Sequence, residues 1–128
     1  MDREWLNACS GDVVDAAVAV HTALGPGLLE SAYQACLACE LRIRGRSVVT
    51  QLPLPISYRD VRLDVGYRLD MLVDDAVVVE LKSVDKLLPV HEAQLLSYLR
   101  LSGHRLGLLI NFNVPALATG IRRMANQL

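Results

Sequence analysis

Tyr67-Arg68-Leu69-Asp70-Met71-Leu72-Val73-Asp74-Asp75-Ala76-Val77-Val78-Val79-Glu80-Leu81-Lys82 is the stretch on which the fold turns. Two apolar-rich runs flank Asp74-Asp75-Ala76, a tight-turn signal, so the segment reads as a β-hairpin. With the turn at 74–76, Val73 falls opposite Val77, and counting back sets Asp70 opposite Glu80. Side chains alternate along a strand. One face then carries Tyr67, Leu69, Met71 and Val73 against Val77, Val79 and Leu81, which is a core face. The other carries Arg68, Asp70 and Leu72 against Val78, Glu80 and Lys82. Like charges directly opposite one another destabilise a sheet. A positive charge between them removes the repulsion, whether a divalent ion or, in part, the ammonium of Lys82. The alternative is a solvated strand face on which Lys82 bridges two acids.

Upstream, residues 47–51 and 54–58 read as strand segments interrupted by Pro53 and Pro55, which suits a sheet edge. Tyr58-Arg59-Asp60-Val61 reads as a hairpin turn, followed by a strand over 61–73 and another over 77–83. Two helices precede them. Asp12 can cap the first, 11–23, whose Val14, Ala17, Val18 and His21 fall at helical spacing. Gly25-Pro26-Gly27 breaks the chain. The second, 28–44, presents Leu28, Leu29, Ala32, Ala35, Cys36, Cys39 and Ile43 as its apolar face and closes at Gly45. Downstream, Pro89 opens a helix over 89–102 that Gly103 ends. The apolar run 106–112 reads as a buried strand, and 115–125 as a short helix. A strand that follows a helical crossover joins its sheet in parallel. The expected order is α-α-βββ(β)-α-β-α: an α/β fold with a mixed β-sheet flanked by helices, as one domain over 1–128.

Composition narrows the function. The chain has 128 residues, 52% of them apolar, and a formal net charge of -1. No global positive field draws in a polyanion, so a nucleic-acid site has to be a local groove. Arg42, Arg44 and Arg46 cluster, as do Arg122 and Arg123, and each cluster reads first as a solvated helix end. The high apolar fraction leaves room for surface shared between subunits of a homo-oligomer. Three cysteines and no signal peptide point to a reducing cytoplasm. Cys36-x-x-Cys39 sits inside a helical run with no second pair, so both read as small apolar residues rather than metal ligands. No apolar run reaches the roughly 20 residues of a membrane span.

Polar residues recur at helical spacing. His91, Gln94 and Tyr98 share one face of the helix after the hairpin, and Glu30 and Tyr33 lie three apart on the second helix. In order, Gly66-x-x-x-Asp70, Glu80-Leu81-Lys82 and Gln94-x-x-x-Tyr98 resemble the G-x-x-x-D, E-x-K and Q-x-x-x-Y series of RecB-type nucleases in the PD-(D/E)XK superfamily. Gly27-Leu28-Leu29-Glu30-Ser31-Ala32-Tyr33 resembles the signature of the GxxExxY family of small bacterial proteins, placed in the same superfamily. The likeness runs from about 11 to 126, and Leu69 stands where the superfamily's name has proline.

The resemblance implies a restriction-endonuclease-like core of helix, three-stranded meander, helix and strand. It implies Mg²⁺ or Mn²⁺ held by Asp70 and Glu80, with the Leu81 carbonyl as a further ligand and Glu30 in the outer shell or on a water. Lys82 would position the attacking water and stabilise charge on the phosphate. Two neighbouring acids favour its charged form, hence charge stabilisation over general-base work. Gln94, Tyr98, Tyr33 and His91 would contact nucleic acid or brace the site. The activity implied is metal-dependent hydrolysis of phosphodiester bonds in DNA or RNA. A nuclease-fold module that binds nucleic acid or a nucleotide without cutting, and a structural or regulatory subunit of a larger assembly, stand as alternatives.

Overall fold

The computed structural model describes residues 2–128. Helix α1 runs Arg3–Leu24, well upstream of the expected start, because Asp2 caps it by accepting from the Trp5 N–H at 2.8 Å. Asp12 therefore lies inside the helix and serves as an ion-pair partner. Helix α2, Glu30–Ile43, buries Tyr33, Leu37, Ala38 and Leu41. The face expected inside is the exposed one, with Cys36, Cys39 and Ile43 open to solvent. Both stripes are apolar, and the one with larger side chains has more surface to remove from water.

The main sheet has the order β1-β4-β5-β6-β7. Its strands are β1 (Val48–Pro53), β4 (Arg68–Val73), β5 (Val77–Lys82), β6 (Leu106–Asn111) and β7 (Ile121–Ala125). A separate hairpin pairs β2 (Ile56–Tyr58) with β3 (Val61–Leu63). The expected strand over 61–73 is thus two strands. The break comes where Asp64 accepts from the Gly66 N–H at 3.1 Å and Gly66 turns left-handed, φ 85°. Helix α3 (Pro89–Ser102) carries the chain from β5 to β6, which pair in parallel; the other pairings are antiparallel.

The expected helix over 115–125 is instead a single 3-10 turn, Leu117–Gly120, and then β7. Without β7, strand β6 would expose a row of unpaired backbone groups beside a buried apolar run. The reversal needs glycine at 120, since a Cβ there would collide with the Asn111 carbonyl.

Both sheet faces are covered. Helices α1 and α2 pack on Met71, Val73, Val77, Val79, Leu81, Leu106, Leu108 and Ile110. Helix α3 packs through Leu95, Tyr98 and Leu99 on Leu72, Val78 and Leu109. The strand face expected to be polar is therefore apolar over most of its length and polar only at the Asp70–Glu80 end. No helix among the described residues is long and apolar enough to cross a membrane.

The arginine cluster works internally. Arg46 bridges Asp12 at 3.0 Å and Asp74 at 2.9 Å, and Arg44 pairs with Asp12 and Glu40. Hydrogen bonding to Arg46, foremost, holds the Asp12 carboxyl below its ordinary range. Asp74 also accepts from the Ser47 N–H at 2.8 Å. Together these contacts tie the β4–β5 turn to α1 and to the start of β1, which fixes the hairpin that carries both acids.

The phase of α2 can be read by chemical denaturation. Leu37→Ala should cost about 2–5 kcal/mol by leaving a cavity. Cys36→Ala, one residue away, should stay within about 0.5 kcal/mol. The opposite ranking would place the other stripe inside.

Candidate functional site

The register of β4 and β5 matches the sequence expectation: Val73 pairs with Val77, Leu72 with Val78 and Met71 with Val79. At the next pair the backbone ladder stops and side chains replace it. The Asp70 N–H donates to Glu80 Oε1 at 3.1 Å, and the Leu81 N–H donates to Asp70 Oδ2 at 2.9 Å. The strands have splayed, and each carboxylate satisfies a backbone donor of the opposite strand. The pair thus meets in the gap between strands rather than on one open face. The disturbance also turns Leu69 toward the α3 side, although alternation places it with Met71. In a strand, a residue's N–H and C=O point to the same edge, so the Leu81 carbonyl faces this gap too.

Glu80 is only 5% exposed. Burial first, and then the charge of Asp70 and a hydrogen bond with its carboxyl, push the Glu80 carboxyl up to about 9. The positive charge of Lys82 pulls the other way. Lys82 ends β5, half-buried, with its carbonyl accepting from the Phe112 N–H at 3.0 Å.

A cleft of about 420 Å³ opens on the α2 side, lined by Glu30, Ser31, Gln34, Gln51, Asp70 and Leu81. Glu30 Oε1 accepts from the Ser83 N–H at 3.3 Å, while Ser83 Oγ donates to the Leu28 carbonyl at 2.6 Å. The start of α2 is thereby fastened to the end of β5. Tyr33 does the fastening from below. Fully buried, it stacks on Phe112 at 4.4 Å, donates to the Gly25 carbonyl at 2.6 Å and accepts from the Leu28 N–H at 3.1 Å. Its hydroxyl and ring are both used inside the fold, so the structure makes it a brace and not a surface for substrate.

On the α3 side, Gln94 donates to the Tyr98 hydroxyl at 3.0 Å. Burial, followed by the charge of Glu80, raises the Tyr98 phenol above its ordinary value. This pair therefore borders the two acids. His91 is drawn to a different task, its Nδ1 accepting from the Leu88 N–H at 2.9 Å to cap α3.

Two residues escaped the sequence reading. Gln51 sits within β1 at φ 53°, a left-handed conformation uncommon for glutamine. Its Nε2 donates to Gln34 Oε1 at 2.7 Å and reaches Asp70 Oδ1 at 3.4 Å. No sequence signal announces it, although Gln34, one turn from Glu30, shares that helix face. The second is Asn111, buried on β6 opposite Lys82. Its amide clamps Val84, accepting from the N–H at 3.1 Å and donating to the carbonyl at 2.9 Å. That clamp sets the chain just past Lys82.

Among the described residues, no three His, Cys, Asp or Glu side chains converge closely enough to hold an ion. Glu30 shares the cleft lining with Asp70 and is engaged by the Ser83 N–H. Two carboxylates and a strand carbonyl are hard oxygen donors. They suit a cation such as Mg²⁺ or Mn²⁺ that keeps several waters.

A family model of the PD-(D/E)XK nuclease superfamily matches residues 7–124, and the chain belongs to that superfamily. Its three helices and mixed five-stranded sheet form an α/β nuclease-like fold. No curated protein and no solved structure matches it significantly.

Two outcomes test this geometry. Folded Glu80 keeps a proton that the unfolded chain releases above 4.5, so stability should fall as pH rises from 4.5 toward about 9. Glu80→Gln should flatten that slope in thermal melts, with a gain on the order of a few kcal/mol at the alkaline end. Gln51→Asn should hold or raise stability, by up to about 1 kcal/mol, because asparagine tolerates the left-handed backbone. Its shorter amide should nonetheless weaken Mn²⁺ binding measured by calorimetry.

Proposed function

We propose that this protein hydrolyses phosphodiester bonds in nucleic acid, DNA being the expected substrate, with Mg²⁺ or Mn²⁺ held by Asp70, Glu80 and the Leu81 carbonyl. The observation that carries the reading is the Asp70–Glu80 pair, a buried acid pressed against a half-buried one at a cleft, where a divalent cation would relieve them. When bound, such a cation neutralises charge on the phosphate and acidifies a coordinated water.

The chain's own residues do the rest. Asp70 accepts from two N–H donors, on Leu81 and Gln51, which orient its carboxyl group. Lys82 places an ammonium beside the acids to stabilise charge developing on the phosphate. Glu30, with one oxygen on Ser83, turns the other to an outer-shell water. Gln94 and Tyr98 hold the opposite wall. The GxxExxY likeness fits this division, since Tyr33 fixes the turn from which Glu30 projects. Three free thiols suit a reducing cytoplasm.

A second reading, a module that binds nucleic acid without cutting it, is favoured by the finding that, among the described residues, no third ligating side chain joins the two acids. Incubation of pure protein with single- and double-stranded DNA and RNA in Mg²⁺ or Mn²⁺ separates the two. Cutting should appear and should fall in Asp70→Ala by more than the roughly 10–100-fold typical of outer-shell partners. Binding without cutting in either metal would establish the second reading.

A further inference from the structure

We infer that the β2–β3 hairpin is an arm that grips unpaired nucleic acid and leads it to the Asp70–Glu80 gap, an inference that rests on the nuclease reading of that gap. The hairpin stands outside the main sheet. Two strands of three residues are marginal in water without a third element against them. Nonetheless Tyr58, Val61 and Leu63 are all exposed, Tyr58 by 57%. The register places Ile56, Tyr58, Val61 and Leu63 on one face, with Ser57 and Arg62 on the other.

The charges on the arm divide by what they do. Asp60 occupies the turn tip at φ 66°, where a short polar side chain is suited to a left-handed backbone. Asp64 accepts from the Gly66 N–H. Both acids are accounted for by turn chemistry. The arginines are not: among the described residues, neither Arg59 nor Arg62 has a carboxylate within ion-pair distance. Arg59 instead lies over the Tyr58 ring, 5.7 Å from its centroid. Exposed guanidinium beside exposed aromatic is the combination that takes phosphate and base together. It favours unpaired strands, because only there is a base face free to stack.

The arm also begins at the site. It leaves β1 after Pro53 and returns at Arg68, two residues before Asp70. The Tyr67 ring lies 5.9 Å from that of Tyr98, the residue bordering Glu80. A strand lying along the arm is therefore delivered to the acids.

The test is fluorescence anisotropy of a labelled single-stranded oligonucleotide and of its duplex, in EDTA so that nothing is cut. Wild type should prefer the single strand. Tyr58→Ala combined with Arg59→Ala and Arg62→Ala should weaken binding at least ~10-fold and lower the salt slope by about 1.4, two phosphate contacts' worth. Tyr58→Phe should bind as wild type, since the ring and not the hydroxyl stacks. Mn²⁺ titration of the triple variant should be unchanged. Equal binding by wild type and the triple variant overturns the arm, as does a wild-type dimer that the triple variant converts to monomer. Arm-dependent binding with no cutting in Mn²⁺ would sink hydrolysis and spare the arm; cutting with arm-independent binding would do the reverse.

Discussion

Where β4 and β5 part company, two backbone N–H groups lose their ladder partners, and two carboxylates take them. This exchange is the constraint around which the rest is arranged. Asp70 is held by Leu81 and Glu80 by Asp70, so neither acid can rotate away without taking the partner from a part-buried backbone donor. An ordinary strand pair would keep like charges apart or in water. Here the backbone itself enforces their approach, and burial together with the Asp70 charge makes Glu80 hold its proton more tightly, which lessens the repulsion.

Holding that gap open and in register takes contacts from several directions. Arg46 pins the turn at the far end of the hairpin through Asp74. Asn111 clamps Val84 just beyond Lys82. Ser83, between them in sequence, fastens both Glu30 and the Leu28 carbonyl. Three successive residues after Leu81 are therefore each fixed, two by β6 and one by α2: Asn111 of β6 pairs with Lys82 and clamps Val84, and Glu30 of α2 holds Ser83. The end of a strand usually frays; this one is fastened at every residue, which is what a preorganised charge cluster needs.

What could be read from the sequence follows the same physics. The hairpin register was legible because a short turn signal and alternation leave one solution, and a one-residue slip would bury charges along a whole face. The phase of α2 was not, because Cys36, Cys39 and Ile43 are as apolar by type as the stripe that is buried. The tail was misread as helix because Ile121-Arg122-Arg123-Met124 has no strict period. It became a strand through the demand of a neighbour, the otherwise bare edge of β6. Strand alternation singles out Asp70, Glu80 and Lys82 as candidates, whereas Tyr33 and His91 are singled out by spacing alone. Spacing does not tell a residue that faces a ligand from one that braces a turn or caps a helix.

Gln51 shows why a site can exceed its motif. A left-handed residue inside a strand carries a local cost of order 1–3 kcal/mol. The two backbone pairings flanking it, Thr50 with Met71 and Leu52 with Leu69, are intact. The strand therefore accommodates the distortion at this one residue, opposite Asp70. The distortion carries the amide into contact with both Gln34 and the free oxygen of Asp70. A relaxed strand would send that side chain along the normal alternation. The fold thus tolerates strain at the point where a side chain reaches the Asp70 oxygen that the sheet leaves free, so the α2-side wall and the gap between the strands hold the same carboxyl group.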